Sequence, residues 1–148
     1  PEDRKLVIAG PEDRAYGQQI RELVKQLRLE DSVLFVGEMD DGQKTSLLQK
    51  AKCLVLPSEH ENFANVILEA AREGLYSIVS KHVALAEFIS TNNLGAIAEL
   101  EPNAIARAIT EVPPTKLSIE QASTILTPHS LTKISCELTE FYHNLVPK

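Results

Sequence analysis

The sequence predicts an α/β fold with a mainly parallel sheet, and three observations predict it. Short apolar runs at residues 5–9, 33–36, 53–56 and 77–80, with a weaker one at 94–98, are each stopped by glycine, proline or a polar turn and read as buried strands. Segments of helical spacing lie between them, so strand and helix alternate as in right-handed β-α-β units. The composition, 43% hydrophobic and 24% charged without a low-complexity stretch, belongs to a chain that buries a core.

At 148 residues there is enough chain for one domain and too little for two of ordinary size. The net charge of −6, with no cluster of Lys and Arg, excludes a general nucleic-acid surface. Cys53 sits in an apolar strand and Cys136 in a helical pattern, without CxxC spacing, so both read as reduced thiols in or near the core of a cytoplasmic protein. The longest apolar runs fall far short of the ~20 residues that cross a bilayer, and no signal-peptide pattern opens the chain. Pro1 stands in place of an initiator Met and Leu6 is already in a strand, so the sequence reads as a processed or excised piece.

The first strand, 5–9, breaks at Gly10-Pro11 into a polar turn at 11–14. In the helix that follows, Ile20, Leu23, Val24 and Leu27 form one apolar stripe, with Arg21, Glu22, Lys25 and Gln26 as a solvated face. The strand at 33–36 is closed by Gly37, where a missing β-carbon permits either close approach of a flat group or simple chain reversal. A short helix at 44–50 buries Leu47, Leu48 and Ala51. The central stretch then runs without interruption: Cys53–Leu56 stopped by Pro57 and Ser58, an acidic turn, Asn65–Arg72 ending at Gly74, and a strand at 77–80. Its crossover sets the helix N-terminus beside the carboxyl edge of the sheet, where free amides and the helix dipole favour anions.

Further on, Asn103 is expected to cap a helix at 104–110 that bears Ile105, Ala108 and Ile109, and Val112-Pro113-Pro114 to end it. Residues 118–124 and Leu131–Leu145 read as helical, with Leu131, Ile134, Leu138, Phe141 and Leu145 forming a stripe that should pack across the domain. Residues 1–112 are thus read as the core and 113–148 as a helical tail.

Two carboxylates mark the central stretch. Glu61 in the turn and Glu69 on the helix are eight positions apart, slightly more than two turns at about 3.6 residues each, and both can present acceptors to the hydroxyls of one elongated ligand. Against that, Ser58-x-x-Glu61 is also a capping-box pattern, and a helical Glu is commonly just solvated. Lys81 and His82 stand where a cation reaches a phosphate, although a surface Lys-His pair is the commoner case, and no second His or Cys completes metal spacing. His60 precedes Glu61 and can touch a ligand. His129 and His143 lie in the tail with no chemical partner visible.

PSEHENFANVILEAAREG resembles the signature of the family-four, retaining GT-B glycosyltransferases, group 1 type, whose form is P-S-x-x-E-G/N-F-G-x-x-x-x-E-A-x-A-x-G; LVIAGPED and SVLFVGEMD resemble the two preceding strand–glycine turns. The resemblance covers roughly residues 5–110 and implies a Rossmann-like three-layer α-β-α donor-binding half. By it, Glu61 contacts the transferred sugar as the catalytic carboxylate, and Glu69 holds the nucleotide ribose. Asn62, Phe63, Ala64 and Asn65 supply backbone amides to the diphosphate, Gly37 and Glu38 lie beside the base, and Lys81, His82 and Glu87 shape the rest of the donor pocket.

The implied partner is a nucleotide-sugar donor, with no cofactor and no metal. The family's acceptor domain and its diphosphate-neutralising Arg and Lys would precede Pro1, as would the first strand of this half. Membrane association would come only through such parts, and the 148 residues alone are expected not to transfer sugar. Three departures stand out: Ala64 replaces a glycine, Tyr76 a proline, and Val83-Ala84 common glycines, where a methyl group opposes positive φ. They favour an alternative, a degenerate GT-B-like domain for nucleotide binding or assembly. Another alternative is a sugar-nucleotide epimerase of the same shape.

Overall fold

The computed structural model describes residues 4–11 and 14–145, which leaves Pro1 and part of the expected turn at 11–14 outside the described residues. The chain forms two compact units, Pro1–Lys44 and Thr45–Lys148.

In the first unit, β1 (Leu6–Ala9) pairs in parallel with β2 (Val33–Gly37), Leu6 opposite Val33, with an irregularity between Ile8 and Ala9. The connecting helix α1 (Arg14–Gln26) carries the expected stripe, but only Ile20 and Val24 are half-buried; Leu23 and Leu27 remain 51% and 57% exposed. The sequence pattern gives the apolar face, and the structure leaves half of it in solvent. Two strands about 4.8 Å apart make a strip narrower than a helix about 10 Å across, so part of the stripe has nothing beneath it within the unit. Arg21 does more than face water, because its guanidinium lies 4.1 Å over the Phe35 ring centroid. The helix ends with Arg28 at φ 56°, while Leu29 N–H donates to Val24 O at 3.0 Å.

Asp40 then caps α2 (Asp41–Lys50). Its Oδ1 accepts from Gln43 N–H at 2.8 Å, and its own N–H donates to Gln43 Oε1 at 3.1 Å. This capping box starts the helix earlier than the apolar pattern at 44–50 implies.

In the second unit, β3 (Cys53–Leu56), β4 (Tyr76–Val79) and β5 (Gly95–Ile97) form a parallel sheet in the order β3-β4-β5, Cys53 opposite Tyr76 and Ser77 opposite Gly95. Helices α3 (Asn65–Arg72), α4 (Ala86–Thr91) and α5 (Pro102–Thr110) follow the strands in turn. Then come α6 (Ile119–Leu126), a 3-10 turn at Thr127–His129 and α7 (Leu131–Leu145). The core is built from Ile67 and Ala71 of α3, Val79 of β4, Ile89 of α4 and Leu94, with Leu117, Ile125 and Leu126 of the tail packed against it. Leu48 of α2 joins Ala70 and Leu75 in a second cluster.

Gly74, at φ 68°, ends α3, as Leu75 N–H donates to Ala70 O and Gly74 N–H to Ala71 O, both at 2.9 Å. A β-carbon there would meet Leu117 O at 2.2 Å, so glycine is required by conformation and by space. Asn93 at φ 56° ends α4 in the same way, Leu94 N–H donating to Ile89 O at 2.8 Å.

Four expectations are corrected here. Asn103 does not cap α5; the N-cap is Glu101, because Pro102 at the first helical position is preset to helical φ and has no N–H to satisfy. Cys136 is exposed, whereas Cys53 is half-buried as expected. The α7 stripe does not pack across the domain: Leu131 is 83% exposed, Leu138 51% and Phe141 58%, and the Leu145 side chain lies outside the described residues. Finally, Ser58 caps no helix. The chain from Ser58 to Ala64 is loop with bends at Glu59, His60 and Asn62, and α3 begins at Asn65 with Ala64 as its N-cap, too far along for a box at Ser58 to reach.

Candidate functional site

Because β3 and β4 run parallel, the loops that follow them leave the sheet at the same edge. One residue fastens those loops together. Ser80, fully buried at the end of β4, donates from Oγ to Ser58 O and accepts from His82 N–H at 3.2 Å. Glu61 adds an isolated parallel bridge to Val83, whose side chain is buried in the core. The sequence offers no signature for this clasp beyond a small polar residue after an apolar run.

The clasp brings His60 and His82 together, with ring centroids 6.4 Å apart and the planes tilted by 59°. Lys81 turns to Glu99, just beyond β5, with Nζ 3.4 Å from Oε2; both side chains are exposed.

Past Glu61 the loop presents Asn62 and Phe63, both exposed, and reaches α3 through Ala64. Ala64 is the N-cap, in the left-handed region at φ 59°, ψ 67°, and no side chain caps the helix start. The turn therefore keeps a glycine-like backbone although alanine fills it, at a cost of roughly 1–2 kcal/mol. Asn65 is the exposed first residue of α3. With α3 at Asn65–Arg72, the eight positions from Glu61 to Glu69 divide into a stretch of loop and about one helical turn, not two turns of helix. Glu61 and Glu69 are both half-buried, and Glu69 Oε2 is buried.

Glu87 is exposed in the first turn of α4. Gly37, at φ 67°, and the exposed Glu38 belong to the first unit. A hollow of about 470 Å³ in that unit, between α1 and β2, is lined by Gln18, Arg21, Lys25 and Phe35 among others and by none of the candidate site residues.

His129, left without a partner by the sequence, stands edge-on to Phe88 at 4.4 Å and lies 6.3 Å from Phe63. The tail thus returns to the candidate loop through contacts distant in sequence, which no local pattern announces. Tyr76, in the strand position where a proline was expected, has its phenol pKa raised by burial and, secondarily, by the nearby Glu111 charge. Among the described residues, no group of three or more His, Cys, Asp or Glu is placed to hold a metal ion, and no helix is long and apolar enough to cross a membrane.

Residues 1–115 match the model of the family described as glycosyl transferases group 1. The chain belongs to this family. It is similar to N-acetyl-alpha-D-glucosaminyl L-malate synthase of Bacillus anthracis, with 35% identity over 98 residues, 66% of this chain and 25% of that protein. Among solved structures, sucrose-phosphate synthase from Thermosynechococcus elongatus superposes with a TM-score of 0.81 at 24% identity, over 95% of this chain and 38% of that one. Anabaena HepE, crystallised in complex with UDP and glucose, gives 0.74 at 19% identity, over 98% and 42%. The group 1 chain therefore spans a minor part of each of these proteins. At such identities the likeness carries the fold, and the expected α/β, Rossmann-like class with parallel strands, part of a GT-B fold, holds.

Proposed function

We propose that this group 1 glycosyl transferase chain is the donor-binding part of an enzyme that transfers a sugar from a nucleotide-sugar to an acceptor, with retention of anomeric configuration. The observation that carries the reading is the start of α3: a helix N-terminus with no side-chain cap, entered through a left-handed turn, directly after a loop whose Glu61 is bridged to Val83. Departure of a nucleoside diphosphate from a sugar builds negative charge on the phosphates and positive charge on the sugar ring. Fixed amides and a positive helix end stabilise the first without reorganising, and a carboxylate beside the ring orients hydroxyls around the second.

In this arrangement Glu61 positions the sugar and Glu69 accepts from the ribose. The amides from Asn62 to Asn65 receive the diphosphate, and Lys81, His82 and Glu87 complete the pocket wall. The chemistry asks for no metal, since amides and the helix end supply the positive potential.

Titration with UDP, GDP and ADP tests the proposal. Saturable binding of one of them that is lost in Glu69→Ala supports it, and binding unaffected by that change refutes the site. A second reading, a domain of the same fold that serves assembly, is favoured by the engagement of Lys81 with Glu99, which withdraws a cation from the pocket. It predicts that none of the three nucleotides binds.

A further inference from the structure

His60 and His82 are the two imidazoles on the clasped loops, one after β3 and one after β4, and both are exposed. Resting on the donor-binding reading, we propose that they form a proton-dependent clamp for a phosphate group of the nucleotide.

Their ring centroids are 6.4 Å apart. A charge-assisted N–H···O bond spans about 2.7–2.9 Å, so an anionic oxygen between the rings comes within reach of a nitrogen of each once they turn about χ2. The rings are held as neighbours by contacts that neither of them makes with its side chain: the Ser80 bond to Ser58 O and the Glu61–Val83 bridge. An anion held between the rings is bound more strongly by the cationic imidazoles than by the neutral ones. Phosphate binding and proton uptake are therefore coupled.

The charges around the pair favour this role. Lys81, next to His82, faces Glu99 at 3.4 Å and so offers little net charge of its own. The imidazoles are left as the switchable positive groups of the two loops. A metal would demand a third ligand, and among the described residues no group of three ligands is in place. Anions are further favoured because the loop carrying His60 leads to the uncapped start of α3.

The chain has four histidines, and His129 and His143 serve as internal controls: the first packs on Phe88, and the second has Nδ1 2.9 Å from Thr139 O. The test follows the Cε1–H signals of the four imidazoles by NMR in the whole chain while inorganic phosphate, then UDP, GDP and ADP, are added. Phosphate should move the His60 and His82 signals and leave the other two in place.

For the best-binding diphosphate, affinity should rise about tenfold more in the wild type than in the His60→Gln/His82→Gln double variant between about pH 8 and about pH 5.5, the span over which imidazole changes charge. Comparison with the variant removes the contribution of the terminal phosphate, which itself titrates near pH ~6. The corresponding nucleoside, lacking phosphate, should show no such difference.

Equal pH slopes in wild type and variant, or equal movement of all four signals, would overturn the clamp while leaving donor binding intact. Signals that respond to inorganic phosphate but not to any nucleotide would reassign the pair to a free phosphate group and overturn the proposal as stated. Failure of every nucleoside diphosphate to bind at any pH would remove both readings.

Discussion

Helices α3 and α7 each carry an apolar stripe of regular spacing, yet the two stripes end in opposite surroundings. Ile67, Ala70 and Ala71 of α3 are exposed by 0%, 0% and 1%, whereas Leu131 and Leu138 of α7 keep 83% and 51%. The first helix lies against β4 on one side and α6 on the other; the principal neighbour of the second is the short 3-10 turn before it. Periodicity reports that a helix has an apolar face. What covers the face is a tertiary matter, and α3 owes its burial to the strand that follows it and to α6, a helix remote from it in sequence.

The largest test of this contrast is a pair of truncations. Ile67→Ala should lower the unfolding free energy by about 3 kcal/mol in urea denaturation, through lost burial and the cavity left behind. Leu138→Ala should stay within about 0.5 kcal/mol, and equal losses would break the comparison. Next in size is Gly74→Ala at the end of α3, where left-handed backbone and the approach of Leu117 O to 2.2 Å from a built β-carbon combine. A loss of about 2 kcal/mol, read as a lower Tm, is expected. At the other end, Ala64→Gly should stabilise by about 0.5 kcal/mol, since the relief of roughly 1–2 kcal/mol of left-handed strain outweighs the roughly 0.5–1 kcal/mol entropic cost of glycine.

The smallest expected effect lies in β4, the strand under α3. The Tyr76 phenol pKa is raised in the folded chain by burial and then by Glu111, so the folded state holds that proton more tightly than the unfolded one. The associated stability is complete below the unfolded value near pH ~10 and is lost as pH rises through the folded value. Stability curves of wild type and Tyr76→Phe should therefore run parallel below about pH 10 and converge or cross above it; parallel curves throughout would remove the linkage.

The central stretch is the most legible part of the sequence. Cys53–Leu56 and Asn65–Arg72 fall where apolar runs and the stop at Gly74 put them, because strand end, helix and glycine turn all agree locally. Helix starts were read less well. Asp40-x-x-Gln43 is a capping box visible in the letters and was passed over, while Ser58-x-x-Glu61 has the same look and caps nothing. The pattern is identical, and only the distance to the helix distinguishes the two cases.

For the candidate site, sequence reading brought Glu61 and its neighbours to one loop and Lys81 and His82 to another. The family resemblance implied that the two loops share a pocket, but no local pattern shows what joins them. That connection rests on the Ser80 hydroxyl, on a backbone bridge and on ring contacts of His60, His82 and His129, all of them between residues far apart in the chain. The engagement of Lys81 by Glu99 was hidden for the same reason. Exposed charge on a loop looks free until the neighbouring strand end is placed.

The Ser80 clasp has a consequence for how this mouth can diversify. One hydroxyl measures the spacing of both segments at once, to the carbonyl of Ser58 and to the amide of His82. An insertion in either segment would unseat its neighbour as well, whereas exchanging an outward side chain disturbs neither. In any lineage that keeps the clasp, new ligand preferences must therefore arrive as changes of letter rather than of length.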